Sequence, residues 1–257
     1  MKVLAIIGSP KGKGNSYNVT KQVEEKMKDM DDVAFEYLFL KDADLQMCRG
    51  CFACVIKGEN FCPIKDERAE IEEKMLKSDG IIFVSPCYCQ NVSALMKNFI
   101  DRFSYVFHRP RFFNQKAMVL ATTGGAGLKE TLDYLSKLEV WGFGPVVKLG
   151  AICPPWPASK GLKIKNDKKI TGSAEEFYKK LKGEKLPSPR FNQYMHFRFM
   201  KMSSEMKEYL PADNEFYKDK KDFFYPVKIN PFKKWFASFM IKFALFMMKD
   251  IGPAEVK

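Results

Sequence analysis

No stretch of about twenty apolar residues runs through this 257-residue chain. A membrane-spanning helix is therefore not expected. The opening run Val3-Leu4-Ala5-Ile6-Ile7 is too short for a signal peptide, and no small-residue cleavage site follows it. A cytoplasmic protein is the expectation. Histidine is scarce, with His108 and His196 the two present, and no Ser/His/Asp or Cys/His nucleophilic arrangement can be assembled around them. That suits an enzyme whose chemistry resides in a cofactor, with the protein supplying orientation and electrostatics. The seven cysteines are odd in number and lack an export signal, which favours metal or redox use over a disulfide framework. Internal repeats and low-complexity tracts are absent. Nucleic-acid-binding motifs are missing too, so nucleic acid is not expected as a partner.

The net charge of +12 is unevenly placed. Through residue 157 there are 21 Lys/Arg against 19 Asp/Glu, and beyond it 22 against 12. The basic excess belongs to the C-terminal part, as solvated lysines or as a surface for an acidic partner or membrane.

The N-terminal part alternates two patterns. Continuous apolar runs at residues 3–7, 81–85 and 117–122, with weaker ones at 33–40 and 146–152, read as strands buried on both faces. Helical patterns lie between them at 15–30, 66–77, 93–107 and 127–140. Five strands separated by helices imply an α/β, doubly wound parallel sheet with right-handed crossovers. After Cys153-Pro154-Pro155-Trp156-Pro157 the pattern changes to a Lys-rich loop. Helices are then expected near 173–182, 188–207 and 231–249, with an aromatic, charged segment at 213–225. The division is thus 1–157 for the α/β domain and 158–257 for a helical extension.

Three loops follow strands at the same sheet edge, where open α/β folds bind ligands. The first, Gly8-Ser9-Pro10-Lys11-Gly12-Lys13-Gly14-Asn15-Ser16, opens a helix. Its backbone N–H groups, hydroxyls and Lys11 suit a phosphate at the helix N-terminus. It has neither the GxxxxGK[ST] order of a triphosphate loop nor the GxGxxG spacing of a dinucleotide turn. The second loop, Ser85-Pro86-Cys87-Tyr88-Cys89-Gln90-Asn91-Val92-Ser93, offers Tyr88 as an aromatic wall. The third, Thr122-Thr123-Gly124-Gly125-Ala126-Gly127, offers backbone donors that could face the N5 and carbonyl oxygens of a flavin.

The strings GSPKGKGNS, SPCYCQNVSALMKNFIDR and TTGG resemble the NADPH-dependent FMN reductase family and its relatives, the iron–sulfur flavoproteins, over about residues 1–155. The resemblance implies a flavodoxin-like fold, non-covalently held FMN and assembly into homo-oligomers. It implies phosphate contacts from Ser9, Lys11, Asn15 and Ser16. It also implies ring contacts from Pro86, Cys87, Tyr88, Asn91, Thr123, Gly124 and Gly125. NAD(P)H or a ferredoxin-like carrier would be the electron source. Asp101-Arg102 resembles the family's helix end, with a structural role in capping or oligomer contact.

Cys48, Cys51, Cys54 and Cys62 form C-x2-C-x2-C-x7-C after the second strand. Such a run can place four thiolates around one small volume, as in a cubane cluster. Iron–sulfur flavoproteins carry a compact cysteine motif at this place and use it to ligate a [4Fe–4S] cluster. Free thiols in a cap loop and a zinc site are the other readings. Functionally, the first reading is an FMN oxidoreductase with NAD(P)H or a carrier as donor and a [4Fe–4S] relay. The alternatives are an electron-transfer protein with no small-molecule substrate and a zinc-stabilised interaction protein with a vestigial flavin site.

His108 sits in the basic run His108-Arg109-Pro110-Arg111, where it reads as packed or as facing a neighbouring subunit or a phosphate; His196 reads as structural. Residues 231–249 read PFKKWFASFMIKFALFMMK. Lys234, Ser238, Lys242 and Lys249 form a narrow polar stripe, and Trp235, Phe236, Phe239, Phe243, Phe246 and Met247 spread over the rest. So wide an apolar face is expected to be buried on the core or a partner subunit, the alternatives being membrane-surface contact and a lid over the flavin.

Overall fold

The computed structural model describes residues 1–183 and 186–247. Five strands form one parallel sheet: β1 Lys2–Ile7, β2 Ala34–Phe39, β3 Gly80–Pro86, β4 Lys116–Thr123 and β5 Val147–Ile152, in the order β2-β1-β3-β4-β5. This is the flavodoxin-like arrangement. The three central strands bury nearly every residue because helices cover both faces, so they read as unbroken apolar runs. The edge strand β2 is only half-buried, and Glu36 on it pairs with Lys2 and Lys74. Such charge keeps an edge from pairing with foreign strands.

One face carries α1 Asn15–Lys28 and α7 Lys160–Lys182, whose Val19, Val23, Ile170, Ala174 and Phe177 pack with Val3, Ile82, Met118 and Leu149. The other carries α3 Arg68–Leu76, α4 Ala94–Arg102 and α5 Ser104–His108, with Met75, Phe99 and Phe103 against Leu4, Phe83 and Val119. A short helix, α2 Ala53–Ile56, lies in the long connection after β2, and α6 Leu128–Ser136 follows β4.

The helix expected near 173–182 is longer than the sequence suggested. The segment read as a Lys-rich loop is its first half. Ser159 caps it by accepting from Leu162 N (3.2 Å), and Asn166 brackets the end of β5 by bonding Ile152 N and O (3.3 and 2.8 Å). Lysine is a good helix former, and Lys163, Lys165, Lys168 and Lys169 simply occupy the exposed side. α7 lies beyond residue 157 yet completes the layer begun by α1. The single helix expected over 93–107 is instead two, α4 and α5, joined at Phe103.

Beyond α7, α8 Phe191–Ser203, α9 Pro211–Tyr217 and α10 Pro231–Met247 gather a third core from Tyr194, Phe197, Met200, Tyr217, Phe223 and Ile229. It is fastened to α5: the Tyr217 hydroxyl donates to His108 O (2.7 Å), and His196 Nε2 bonds Phe107 O (2.8 Å). Met248 and Lys249, the end of the expected last helix, lie outside the described residues. Among the described residues no helix is long and apolar enough to cross a membrane.

Candidate functional site

The carboxyl ends of β1, β3, β4 and β5 open into a cavity of about 290 Å³ lined by the loops that leave them. Its position follows from the strand order, because the chain departs to opposite sides on either side of β1 and β3. The first loop begins where Gly8 N donates to Val84 O (2.8 Å) and runs tight against α4. A Cβ on Gly8 would stand 2.9 Å from Met96 Cβ. The Ser93 hydroxyl caps α4, taking Met96 N and donating to Gly8 O, so one serine ties the first loop to the helix after the second. Gly14 begins α1, and no side chain caps its first turn. Those first-turn amides are left for a ligand, and the helix dipole favours an anion there.

Ser9, Lys11, Asn15, Ser16, Pro86, Cys87, Tyr88, Thr123 and Gly124 all line the cavity. The lining has Lys11 as its cation and no carboxylate, which is the charge pattern of an anion site. The Ser16 hydroxyl also shares a 2.8 Å hydrogen bond with that of Thr122, stitching α1 to β4. Asn91 and Gly125, expected against a flavin ring, are not among the residues lining this cavity and bond within their own loops. Asn91 pairs with Tyr88 through both backbone groups (2.9 and 3.0 Å) and accepts from Val92 N. Gly125 N donates to Thr123 Oγ1 (3.2 Å).

The second loop is therefore a two-residue hairpin turn, with Cys89 and Gln90 at its tip at φ +48° and +62°. Two-residue hairpins call for left-handed central residues, but non-glycine residues there cost about 1–2 kcal/mol each. The turn is seated on Gly127 (φ +86°), where a Cβ would fall 2.4 Å from Cys87 Sγ and 2.8 Å from Gln90 Cα. The outcome is a Tyr88 ring held half out of the surface beside the cavity. Gly14, Thr122 and Cys153 also line it. Their position at the end of β4, the end of β5 and the start of α1 is the signal that would have found them.

A second cavity, of about 250 Å³, holds Cys48, Cys51, Cys54 and Cys62 together with Arg49, Asp101, Arg102 and Ser104. It sits toward the C-terminal end of α4, whose N-terminal end abuts the first loop. Asn98 receives Cys48 N (3.0 Å) and donates to Leu45 O, pinning the loop to α4. Arg102 donates to Cys62 Sγ (3.1 Å) and to Asp66 (2.7 Å), and its buried Nε has no partner among the described residues. Asp101-Arg102, expected as a cap or oligomer contact, thus serves the cysteine pocket through Arg102. Burial is the largest influence on Cys62 and opposes its ionisation, yet the hydrogen bonds from Arg102 and the Ile64 backbone, together with the charges of Arg102 and Arg68, leave its pKa below the ordinary thiol value. Burial raises the pKa of Cys54, against the hydrogen bond it shares with the Ser104 hydroxyl. Among the described residues no three Cys, His, Asp or Glu groups converge on a single metal-ion position.

Arg109 holds the same loop from outside. It donates to Cys54 O (2.5 Å) and Val55 O (2.9 Å), to Glu59, and to the fully buried Asp213 of α9. His108 bonds the other oxygen of Asp213 (2.7 Å). Of the readings open for His108, packed or facing a neighbouring subunit or a phosphate, the structure has the packed one, with His108 and Arg109 both bonded to Asp213 of the C-terminal layer.

Residues 1–151 match the family model described as NADPH-dependent FMN reductase. The chain belongs to that family. It is 30% identical over 229 residues to an iron–sulfur flavoprotein of Archaeoglobus fulgidus, covering 86% of this chain and 99% of that protein. The likeness to that relative therefore extends well past the flavin domain. It is also 39% identical over 102 residues to an iron–sulfur flavoprotein of Methanocaldococcus jannaschii, which is 40% of this chain and 51% of that one. Among solved structures it resembles an NADH:FMN oxidoreductase in its apo form, with TM-score 0.52, 19% identity, and coverage of 74% of this chain and 96% of that one. At that identity the likeness is one of fold.

Proposed function

We propose that this FMN reductase family member is an oxidoreductase that binds FMN at the strand-end cavity and takes electrons from NAD(P)H or a reduced carrier. A [4Fe–4S] cluster held by Cys48, Cys51, Cys54 and Cys62 is its second redox centre. The observation that carries the reading is the strand-end cavity itself: uncapped α1 amides, buried hydroxyls and Lys11, with no acid among its lining. Ser9, Lys11, Asn15 and Ser16 would hold the phosphate. Pro86, Cys87, Tyr88, Thr123 and Gly124 would border the ring, with Asn91 and Gly125 fixing those loops. FMN, when bound, supplies a centre that accepts a hydride or single electrons. Tyr88 shields one side of the cavity, and Thr123 and Gly124 of the third loop border it.

The all-thiol donor set fits an iron–sulfur cluster, and the cationic Arg49 and Arg102 beside it suit an anionic group. Four thiols that border one cavity without converging on one point suit a cluster, which spreads its ligands over several irons, better than a single zinc ion. When bound, such a cluster supplies one-electron transfer. Exposed Met47, Phe52 and Phe61 around the pocket support a homo-oligomer closing over it.

The test is direct. Flavin released from purified protein is expected to be FMN, and NADPH added anaerobically is expected to bleach it. Released FAD, or no flavin uptake at micromolar FMN, would refute the cofactor assignment. Bound FMN that reduced ferredoxin bleaches and neither nicotinamide does would place the protein among pure electron carriers.

A further inference from the structure

The expectation that α10 is buried is met on one side only. Ala237 and Ile241 are buried, and Ser238 receives Arg198 of α8. The opposite side is open: Phe232, Trp235, Phe239, Phe243, Phe246 and Met247 are each 54–69% exposed. At 3.6 residues per turn these side chains fall within an arc of about 120°. The rings of Phe232, Trp235, Phe236 and Phe239 contact one another along the first half of the stripe, with Phe236 bridging back to Phe191. A continuous aromatic stripe on a water-facing helix marks an interaction surface.

Two features point to what covers it. Lys233 and Lys242 lie on the two flanks of the aromatic arc, and residues 231–247 contain three lysines and no Asp or Glu. Lys234 is on the inner side, paired with Asp222 (2.7 Å), and Lys233 donates to Pro189 O (2.6 Å). The surrounding region from residue 158 carries 22 Lys/Arg against 12 Asp/Glu. A second copy placed on this face would bring two such basic regions together. An anionic lipid surface would instead take the rings into its acyl boundary and the flanking lysines at its headgroups. We infer that α10 is an in-plane docking helix that seats this protein on an anionic membrane surface, aromatic face down.

The full-length, FMN-loaded protein is mixed with phosphatidylcholine vesicles, with or without phosphatidylserine, and sedimented. Co-sedimentation with the phosphatidylserine vesicles is expected, weaker by roughly tenfold or more with phosphatidylcholine alone and reversed by high salt. Trp235→Glu with Phe239→Glu changes only exposed positions. It is expected to abolish sedimentation with the vesicles while FMN content is unchanged. Wild-type protein that stays in the supernatant with both vesicle types overturns the inference, as does equal binding to the two. A dimer that the double variant converts to monomer, without vesicle binding by the wild type, also overturns it and gives the face to a second copy.

Discussion

The strand-end cavity and the cysteine pocket lie toward opposite ends of one helix but are built by different means. The strand-end cavity is an extension of the sheet: Gly8 N, Cys87 N and Cys153 N each bond a neighbouring strand's carbonyl as the chain turns off. Its geometry follows from strand order and is held by main-chain bonds. The cysteine pocket hangs from the edge strand β2 on an irregular loop. Side chains brought from elsewhere hold it: Asn98, the Arg102–Asp66 pair, and Arg109 locked by Asp213. A cradle made of backbone tolerates side-chain change, whereas a pocket hung on buried ion pairs depends on each of them. The C-terminal layer, through Asp213, is a structural part of the second and not of the first.

Asp213→Ala should separate the two most sharply. It leaves the buried Arg109 with Glu59 as its remaining carboxylate, and breaking a buried pair from one side costs about 3–5 kcal/mol. Chemical denaturation should show that loss, and alkylation of Cys54 should become faster, while FMN still binds. Loss of FMN with unchanged thiol reactivity would break the comparison. Gly127→Ala strikes the other side. Overpacking against Cys87 together with left-handed strain should cost about 3 kcal/mol, appearing as weaker FMN binding with the cysteines unaffected. Ser16→Ala removes a donor to the phosphate and the tie to Thr122. A loss of about 2 kcal/mol in FMN affinity by titration is expected, in keeping with a bond to a charged group.

The smallest effect concerns pH. Burial lowers the pKa of His196 to about 4, from an ordinary value near 6.5, against the raising effect of its bond to Phe107 O. As pH falls, the unfolded chain takes up the proton first. This contribution is therefore complete above pH 6.5 and lost as pH drops toward 4. Hydrogen exchange in α8 should rise over that window before exchange in β1 or β3 does, and His196→Gln should flatten the rise.

The five strands were legible because burial on both faces removes any alternation from their sequences. The three ligand loops were legible because each follows a strand and carries glycine or a capping hydroxyl. What was not legible depends on contacts across long separations. Arg109 meets Asp213 over 104 residues and Arg102 meets Cys62 over 40, and no local pattern encodes either. The first half of α7 was hidden by lysines and glycines that read as loop but lie on its solvent side. The aromatic face of α10 was visible as a pattern, but periodicity tells only that a face exists, not whether the chain itself covers it.

The central claim is that one chain holds two independent redox sites. Cys51→Ser tests it most directly, by assay of iron, sulfide and FMN in anaerobically reconstituted wild type and variant. The wild type is expected to hold about four iron and four sulfide per chain alongside FMN, and the variant to lose the iron and keep the FMN. Reconstituted wild type without iron would contradict the cluster, and a variant that loses FMN together with its iron would contradict the independence of the two sites.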